Sequence, residues 1–356
     1  MRNKIIHVID NIDAGGAQEI VYSLCKYMKD AESTVVVLAG KGNYYEKLSP
    51  YADKIIILSK NRYNLLPILI KLFLIIRKNK DGIFNGHLQF SCFLLSVFRM
   101  CMNFNLVLSL HAIPQQLPYW YNKIFPVIFK AQHYVVADMI QYEYLLSHNI
   151  KKDKISYIPI GTEKVQDVKK AETNIKEELK IPANAVVILN IARMIKAKGQ
   201  KELLYMMDKL AKSRPELPFH LLIVGSGPEE EALRCLAAEL GIWERITFAG
   251  RRTDLHNFYS CADWFVMSCS DENMGVVIYE ALAYRIPVIA YNCGSVAEVI
   301  DSDQKGFLVN PQCANLAKIL LEKYPPSKTS LCDSDLCKLT AARMSEDYEK
   351  CYLRLM

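Results

Sequence analysis

The sequence predicts an α/β protein made of two doubly wound domains, each a parallel sheet wrapped by helices. Three observations carry this. Runs of apolar and β-branched residues recur along the whole chain of 356 residues. Within each run apolar residues follow one another almost without interruption, as in strands buried on both faces. Between the runs lie stretches long enough for a crossover helix. The length agrees, since it suffices for two domains of ordinary size, each with its own core.

In the first half the strand candidates are residues 4–9 (KIIHVI), 34–39, 54–58, 83–87, 105–110, 134–137 and 155–158. In the second half they are 185–191, 219–225, 246–250, 264–268, 287–290 and 307–309. Between the halves the polar stretch 161–184, with Pro182 near its end, reads as a connection and a short helix. The expected boundaries are a first domain at 1–164, a linker at 165–184, a second domain at 185–335 and a closing segment at 336–356. In that last segment Tyr348, Cys351, Tyr352 and Leu355 recur at helical spacing, which predicts an amphipathic helix.

Composition narrows the function classes. A hydrophobic content of 51% with 23% charged residues belongs to a globular protein rather than a disordered one. Eleven cysteines form no CxxC pair and no Cys/His cluster, so neither a metal site nor a disulfide framework is expected. A reducing cytoplasm suits them. The N-terminal apolar run is too short for a signal-peptide core. The longest apolar run, 65–76 (LLPILIKLFLII), contains Pro67 and Lys71 and falls short of the roughly 20 residues of a spanning helix.

The net charge of +6 is unevenly spread: residues 1–164 carry +8 and the remainder −2. A basic first half points to an anionic partner. Aromatic and basic residues also mix in 118–130 (PYWYNKIFPVIFK). No nucleic-acid reading motif accompanies them, so nucleic acid is not expected. The expected partner is an anionic membrane surface at the inner face of the cytoplasmic membrane, or an acceptor carrying phosphate. A solvated basic face is the plain alternative.

The chemistry concentrates in Ser268 to Ile300. Glu272 and Glu280 form an E-x7-E pair; eight helical residues span roughly 12 Å, too far for an acid/base dyad. The two carboxylates suit hydroxyl groups at opposite ends of one elongated ligand. Asn273, Met274, Gly275 and Val276 lie between them in a loop and helix start, where free backbone N–H groups favour a phosphate. Polyols at both ends with phosphate between describe a nucleotide-sugar. Arg193 and Lys198 closely follow the strand candidate 185–191 and are placed to neutralise a diphosphate. Gly225 and Gly227 lack the third glycine of a dinucleotide fingerprint, which argues against a nicotinamide cofactor. In the first half, Gly15 and Gly16 sit where strand passes to helix, and His87 and His111 end strand-like runs at the same sheet edge.

E-N-M-G-V-V-I-Y-E-A-L-A-Y-R-I-P-V-I-A (272–290) resembles the signature of the retaining glycosyltransferases of family 4, E-G-F-G-x-x-x-x-E-A-M-A-x-G-x-P-V-I-A, with Asn273 and Arg285 standing where that family has Gly. A-R-M-I-K-A-K-G (192–199) is similar to its G-R-L-x-x-x-K-G, and G-G-A-Q, S-L-H and I-P-I-G-T-E to its GGAE, T-x-H and I-P-N-G-I-D. The resemblance covers nearly the whole chain and is sharpest from Asn190 to Glu298. It implies the GT-B fold, two Rossmann-like domains facing a central crevice. It also implies that the first domain holds the acceptor, with Gly15 and His87 on that side, and the second the donor. Glu280 would take ribose hydroxyls, Arg193 and Lys198 the diphosphate, and Glu272 with the 273–275 backbone the sugar. Gly16, Gly225, Gly227, Arg251 and Val276 would border the donor; His111 and Glu272 would be catalytic. The implied reaction is metal-independent transfer, with retention and no cofactor, from a UDP-sugar to a saccharide or lipid-linked saccharide in surface polysaccharide synthesis. The same fold also serves nucleotide-sugar epimerases, and a non-catalytic nucleotide-sugar-binding protein would keep the binding residues.

Overall fold

The computed structural model describes residues 2–355 apart from 14, 62, 112–118, 164–167, 270–274, 295, 330 and 332; the side chains at 119–122, 126 and 333 also lie outside the description. The chain divides into two compact units, Met1–Glu163 with Lys338–Met356, and Lys164–Cys337.

The first unit runs β1 (Asn3–Ile9), α1 (Gly16–Tyr27), β2 (Ala31–Ala39), α2 (Tyr45–Leu48), β3 (Lys54–Ser59), α3 (Leu65–Lys78), β4 (Ile83–His87), α4 (Gln89–Cys101), β5 (Asn105–Leu110), α5 (Tyr119–Ile128), β6 (His133–Val136), α6 (Met139–Ser147) and β7 (Ile155–Tyr157). Its seven strands lie in the order β3-β2-β1-β4-β5-β6-β7, every pair parallel. The chain therefore winds outward from β1, then returns past it, and β1 and β4 flank the switch point where such sheets bind ligands.

The second unit runs α7 (Ile175–Glu178), β8 (Val186–Ile191), α8 (Gln200–Ser213), β9 (Phe219–Val224), α9 (Glu230–Glu239), β10 (Ile246–Phe248), α10 (Leu255–Cys261), β11 (Trp264–Met267), α11 (Val276–Ala283), β12 (Val288–Tyr291), α12 (Val296–Val299), β13 (Gly306–Val309), α13 (Cys313–Glu322) and α14 (Asp333–Cys337), after which α15 (Ala341–Leu353) rejoins the first unit. Its strand order is β10-β9-β8-β11-β12-β13, again all parallel. Here β8 and β11 flank the switch point.

All thirteen expected strands are present. Their apolar runs are buried because helices cover both sheet faces. In the second unit Ile188, Leu221, Ile223, Val266 and Ile289 meet Leu203, Met207 and Leu210 of α8 and Leu316 and Leu320 of α13. Each such side chain contributes roughly 1.5–3 kcal/mol on burial. β2 begins at Ala31, three residues before the expected start, because the polar Glu32 and Ser33 pair with β1 all the same.

In the stretch expected to connect the halves, described residues on both sides of 164–167 make specific contacts. Gly161 lies so close to Thr340 that a Cβ there would stand 2.0 Å from its carbonyl oxygen, and Thr162 N donates to Leu339 O at 2.9 Å. Further on, Ile175 is fully buried and Glu172 N donates to Asn257 Oδ1 at 2.8 Å within the second unit. The closing helix α15 buries Tyr348, Cys351 and Tyr352, while Leu355 lies beyond its end. It docks through polar groups: Tyr348 OH donates to Ser109 Oγ (3.2 Å), Ser109 Oγ to Asn85 Oδ1 (3.0 Å), and Asn85 Nδ2 to Tyr352 OH (2.5 Å).

Candidate functional site

In the second unit the candidate residues gather on the loops around the switch point. Arg193 is exposed two residues past β8; its carbonyl accepts from Ile195 N (2.9 Å) and Gln200 Nε2 (3.2 Å). Lys198, half-buried, closes a 3-10 turn, and Gly199 follows at φ +67. The left-handed conformation favours glycine there. Space requires it as well, since a Cβ would meet Ser268 O at 2.2 Å. Ser268 Oγ in turn donates to Gly199 O at 2.8 Å. The loop after β8 is thus pinned to the residue that follows β11.

Gly225 and Gly227 have a packing reason of their own. A Cβ on Gly225 would come 2.0 Å from Ala192 O, and one on Gly227 2.3 Å from Met194 O. Met194 N donates to Ser226 O at 3.0 Å and Gly225 N to Gly250 O at 2.8 Å, so the loops after β8, β9 and β10 interlock. Arg251 is exposed beside this junction. Its neighbour Arg252 is bound to Glu178 and Asp254.

Gly275, at φ +48, caps α11, and Val276 opens it. Glu280 lies one turn further in and is only 5% exposed. A carboxylate taken this far from water needs hydrogen-bond donors. Tyr259 of α10 supplies one, its OH donating to Glu280 Oε2 at 2.7 Å. Burial and the Glu280 charge hold the Tyr259 phenol well above its ordinary pKa, so it stays a donor. Glu272, Asn273 and Met274 lie outside the described residues. Arg285, where a helix usually ends on glycine, takes the left-handed conformation at φ +57 and its guanidinium donates to Leu331 O. A cavity of about 770 Å³ opens between α8, α9 and α13, lined by Lys196, Gly199, Glu202, Ser268 and Tyr291 among others; none of the expected donor residues among those described lines it.

In the first unit Gly15 is exposed in an extended conformation at φ 179, and Gly16 is the first residue of α1. His87 ends β4 and is buried; His111 follows β5 and is half-buried. His87 Nδ1 lies 3.0 Å from His111 Nε2. On the other side His87 Nε2 lies 3.1 Å from Nδ1 of the fully buried His7. Burial lowers all three imidazole pKa values, His7 to about 3 and His111 to about 4, with His87 pushed well down by its neighbours as well. The rings are therefore neutral at pH 7. Asp10, just past β1, accepts from Ser91 N (2.7 Å) and Phe90 N (3.2 Å) and so caps α4.

The structure thus places Gly15, Gly16, His87 and His111 around one switch point. Arg193, Lys198, Gly225, Gly227, Gly275, Val276 and Glu280 gather on the corresponding edge of the other sheet. Sequence reasoning missed His7, Tyr259 and Asp10. For His7 the signal was there: an imidazole inside an otherwise apolar strand, KIIHVI.

Residues 171–324 match the family model described as glycosyl transferases group 1. Over most of its length the second unit is similar to the group 1 glycosyl transferases. The chain is 34% identical over 122 residues to an uncharacterized glycosyltransferase of Haemophilus influenzae, 34% of each protein. It is 30% identical over 135 residues, 38% of each, to the lipopolysaccharide core biosynthesis glycosyltransferase LpsD of Rhizobium meliloti. These matches span little more than a third of the relatives' length. Beyond the matched residues, the whole fold is shared with Anabaena Alr3699/HepE, solved in complex with UDP: TM-score 0.84 at 19% identity, covering 99% of this chain and 100% of that one. The fold is GT-B.

Proposed function

We propose that the chain is a retaining glycosyltransferase that moves a sugar from a UDP-sugar to a saccharide or lipid-linked saccharide in surface polysaccharide synthesis. The observation that carries this is Glu280, a carboxylate buried at the switch-point edge of the second unit and held by Tyr259. It supports a ribose-binding role. Arg193 and Lys198 would neutralise the diphosphate, Arg as a fork and Lys as a point charge. The N–H groups at the start of α11 would add to them as the leaving group gains charge. Glu272 and the 273–275 backbone would hold the sugar, and His111 would be catalytic. In this reading two cations and a helix terminus replace a divalent metal.

Thermal unfolding with UDP, GDP and ADP, with and without chelator, tests the reading. A ligand at about 100 times its dissociation constant adds roughly 2.7 kcal/mol to the native state. The expected outcome is stabilisation by UDP that chelator leaves intact and that Glu280→Ala abolishes. Stabilisation by none of the three would remove the donor assignment.

The acceptor's lipid character is proposed from α3. Ile68, Leu72 and Ile76 pack inward, so the helix does cover the sheet. Its other face leaves Leu65, Leu66, Ile70 and Leu74 exposed, with Val97 and Met100 of α4 and Val127 of α5. Phe73 and Phe98 meet between α3 and α4 with ring centroids 6.4 Å apart. Arg77, Lys78, Lys80, Lys123 and Lys130 are exposed in the same unit. Apolar residues with nearby cations suit an anionic membrane surface. Co-sedimentation with vesicles rich in anionic lipid, lost in Leu66→Asp with Ile70→Asp, is expected; no binding at low salt would sink the idea. No described helix is long and apolar enough to cross a membrane.

A further inference from the structure

Three imidazoles in the first unit form an unbroken line from the core to the sheet edge. His7 on β1, His87 on β4 and His111 after β5 are joined by N···N distances of 3.1 and 3.0 Å. The His87 and His111 ring planes are only 7° apart with centroids 5.3 Å apart. The 3.0 Å N···N line plus the two ring radii fills that separation, so the rings meet edge to edge, as an N–H···N hydrogen bond requires.

Each neutral ring has one N–H and one lone pair. Because His87 uses both nitrogens, one bond must be donated and the other accepted. The tautomers of the three rings are therefore locked together. Either every ring carries its proton on Nδ1, and the line donates outward, or every ring carries it on Nε2, and the line donates inward. The ends differ in their surroundings. His7 Nε2 and His111 Nδ1 are both buried atoms without a partner among the described residues. His7 Nε2 lies in the core, where a bare N–H would have nothing to donate to, at a cost of about 1–3 kcal/mol. His111 Nδ1 lies at the ligand edge, where an N–H can be satisfied by whatever binds.

We propose that His7 and His87 are positioning residues that fix His111 as its Nδ1–H tautomer, so that His111 offers a hydrogen bond to an oxygen of the bound glycosyl donor. This rests on the proposed catalytic role of His111. His111 is then a neutral donor and not a general base: it accepts no proton during transfer, and the line carries no charge.

Long-range 1H–15N NMR of the full chain labelled with 15N-histidine, at pH 7 and without nucleotide, reads the tautomers directly. Nδ1 is expected to be pyrrole-like and Nε2 pyridine-like in all three rings. Protons on Nε2, or a charged ring, would overturn the proposal. In His7→Phe the His111 signature should shift towards the Nε2–H form. In His7→Asn, whose amide can donate where Nδ1–H did, it should return. An unchanged His111 signature in folded His7→Phe would remove the positioning role. Adding UDP-glucose is expected to shift His111 Nδ1, and no shift at a concentration that stabilises the chain would overturn the contact with the donor. Failure of the donor assignment itself would show separately, as absent stabilisation by UDP.

Discussion

Tyr259 ties one helix of the candidate site to another. It is fully buried, stacks on Tyr284 with ring centroids 5.3 Å apart, and donates to Glu280 at 2.7 Å. Tyr259→Phe removes that donor and leaves the carboxylate less well held, a loss of about 1–3 kcal/mol. The expected outcome is a lower unfolding temperature and roughly tenfold weaker UDP binding by calorimetry, the fold-change that 1.4 kcal/mol gives. Unchanged affinity would mean that Tyr259 only packs. Glu280 stood out in the sequence because the Glu272 pairing is accompanied by Gly275, Ala281 and the strand that follows. Tyr259 did not, since nothing in LHNFYSC separates a tyrosine that reaches a carboxylate on another helix from one that fills a core. Arg285 was legible only as a departure: its left-handed backbone and its contact with Leu331 needed coordinates.

At the level of elements, loops are held by backbone contacts that leave no room for a Cβ. Gly199 and Gly241 share φ +67, but a Cβ on Gly199 would meet Ser268 O at 2.2 Å while nothing lies within 4 Å at Gly241. Gly241→Ala should therefore show strain alone, of order 1 kcal/mol. Gly199→Ala should lose clearly more in urea unfolding, because the loop after β8 must also move off Ser268. Equal losses would show that the close approach is unimportant. The strands were readable because thirteen apolar runs were bounded by turns or helical patterns. In the stretch 161–184 the short helix was readable and lies at Ile175–Glu178, but the buried Gly161, Thr162 and Ile175 were not, being outnumbered by charged residues. Gly225 and Gly227 suggested a ligand, yet interlocking loops already account for both.

For the molecule as a whole, buried histidines set the response to acid. His7, His87 and His111 have folded pKa values below the ordinary 6.5, as does His220, lowered to about 4 mainly by burial. Above pH 6.5 folded and unfolded chains bind these protons equally. Below it the unfolded chain binds more, so stability falls as pH falls towards 4, by about 1.4 kcal/mol per pH unit for each such ring. Asp10, whose carboxyl burial pushes up, offsets part of this. The unfolding temperature should be level from pH 8 to 7 and drop steeply below 6; a flat profile to pH 4.5 would contradict the buried, neutral line. The same unit is discontinuous in sequence, its last helix separated from the rest by residues 164–337. On a ribosome, β1 to β7 emerge long before α15, so Asn85 and Ser109 wait without Tyr352 and Tyr348 until the whole second unit has been made. The first unit thus starts before the second and can complete the contacts that seat α15 only after residues 164–337 have been made.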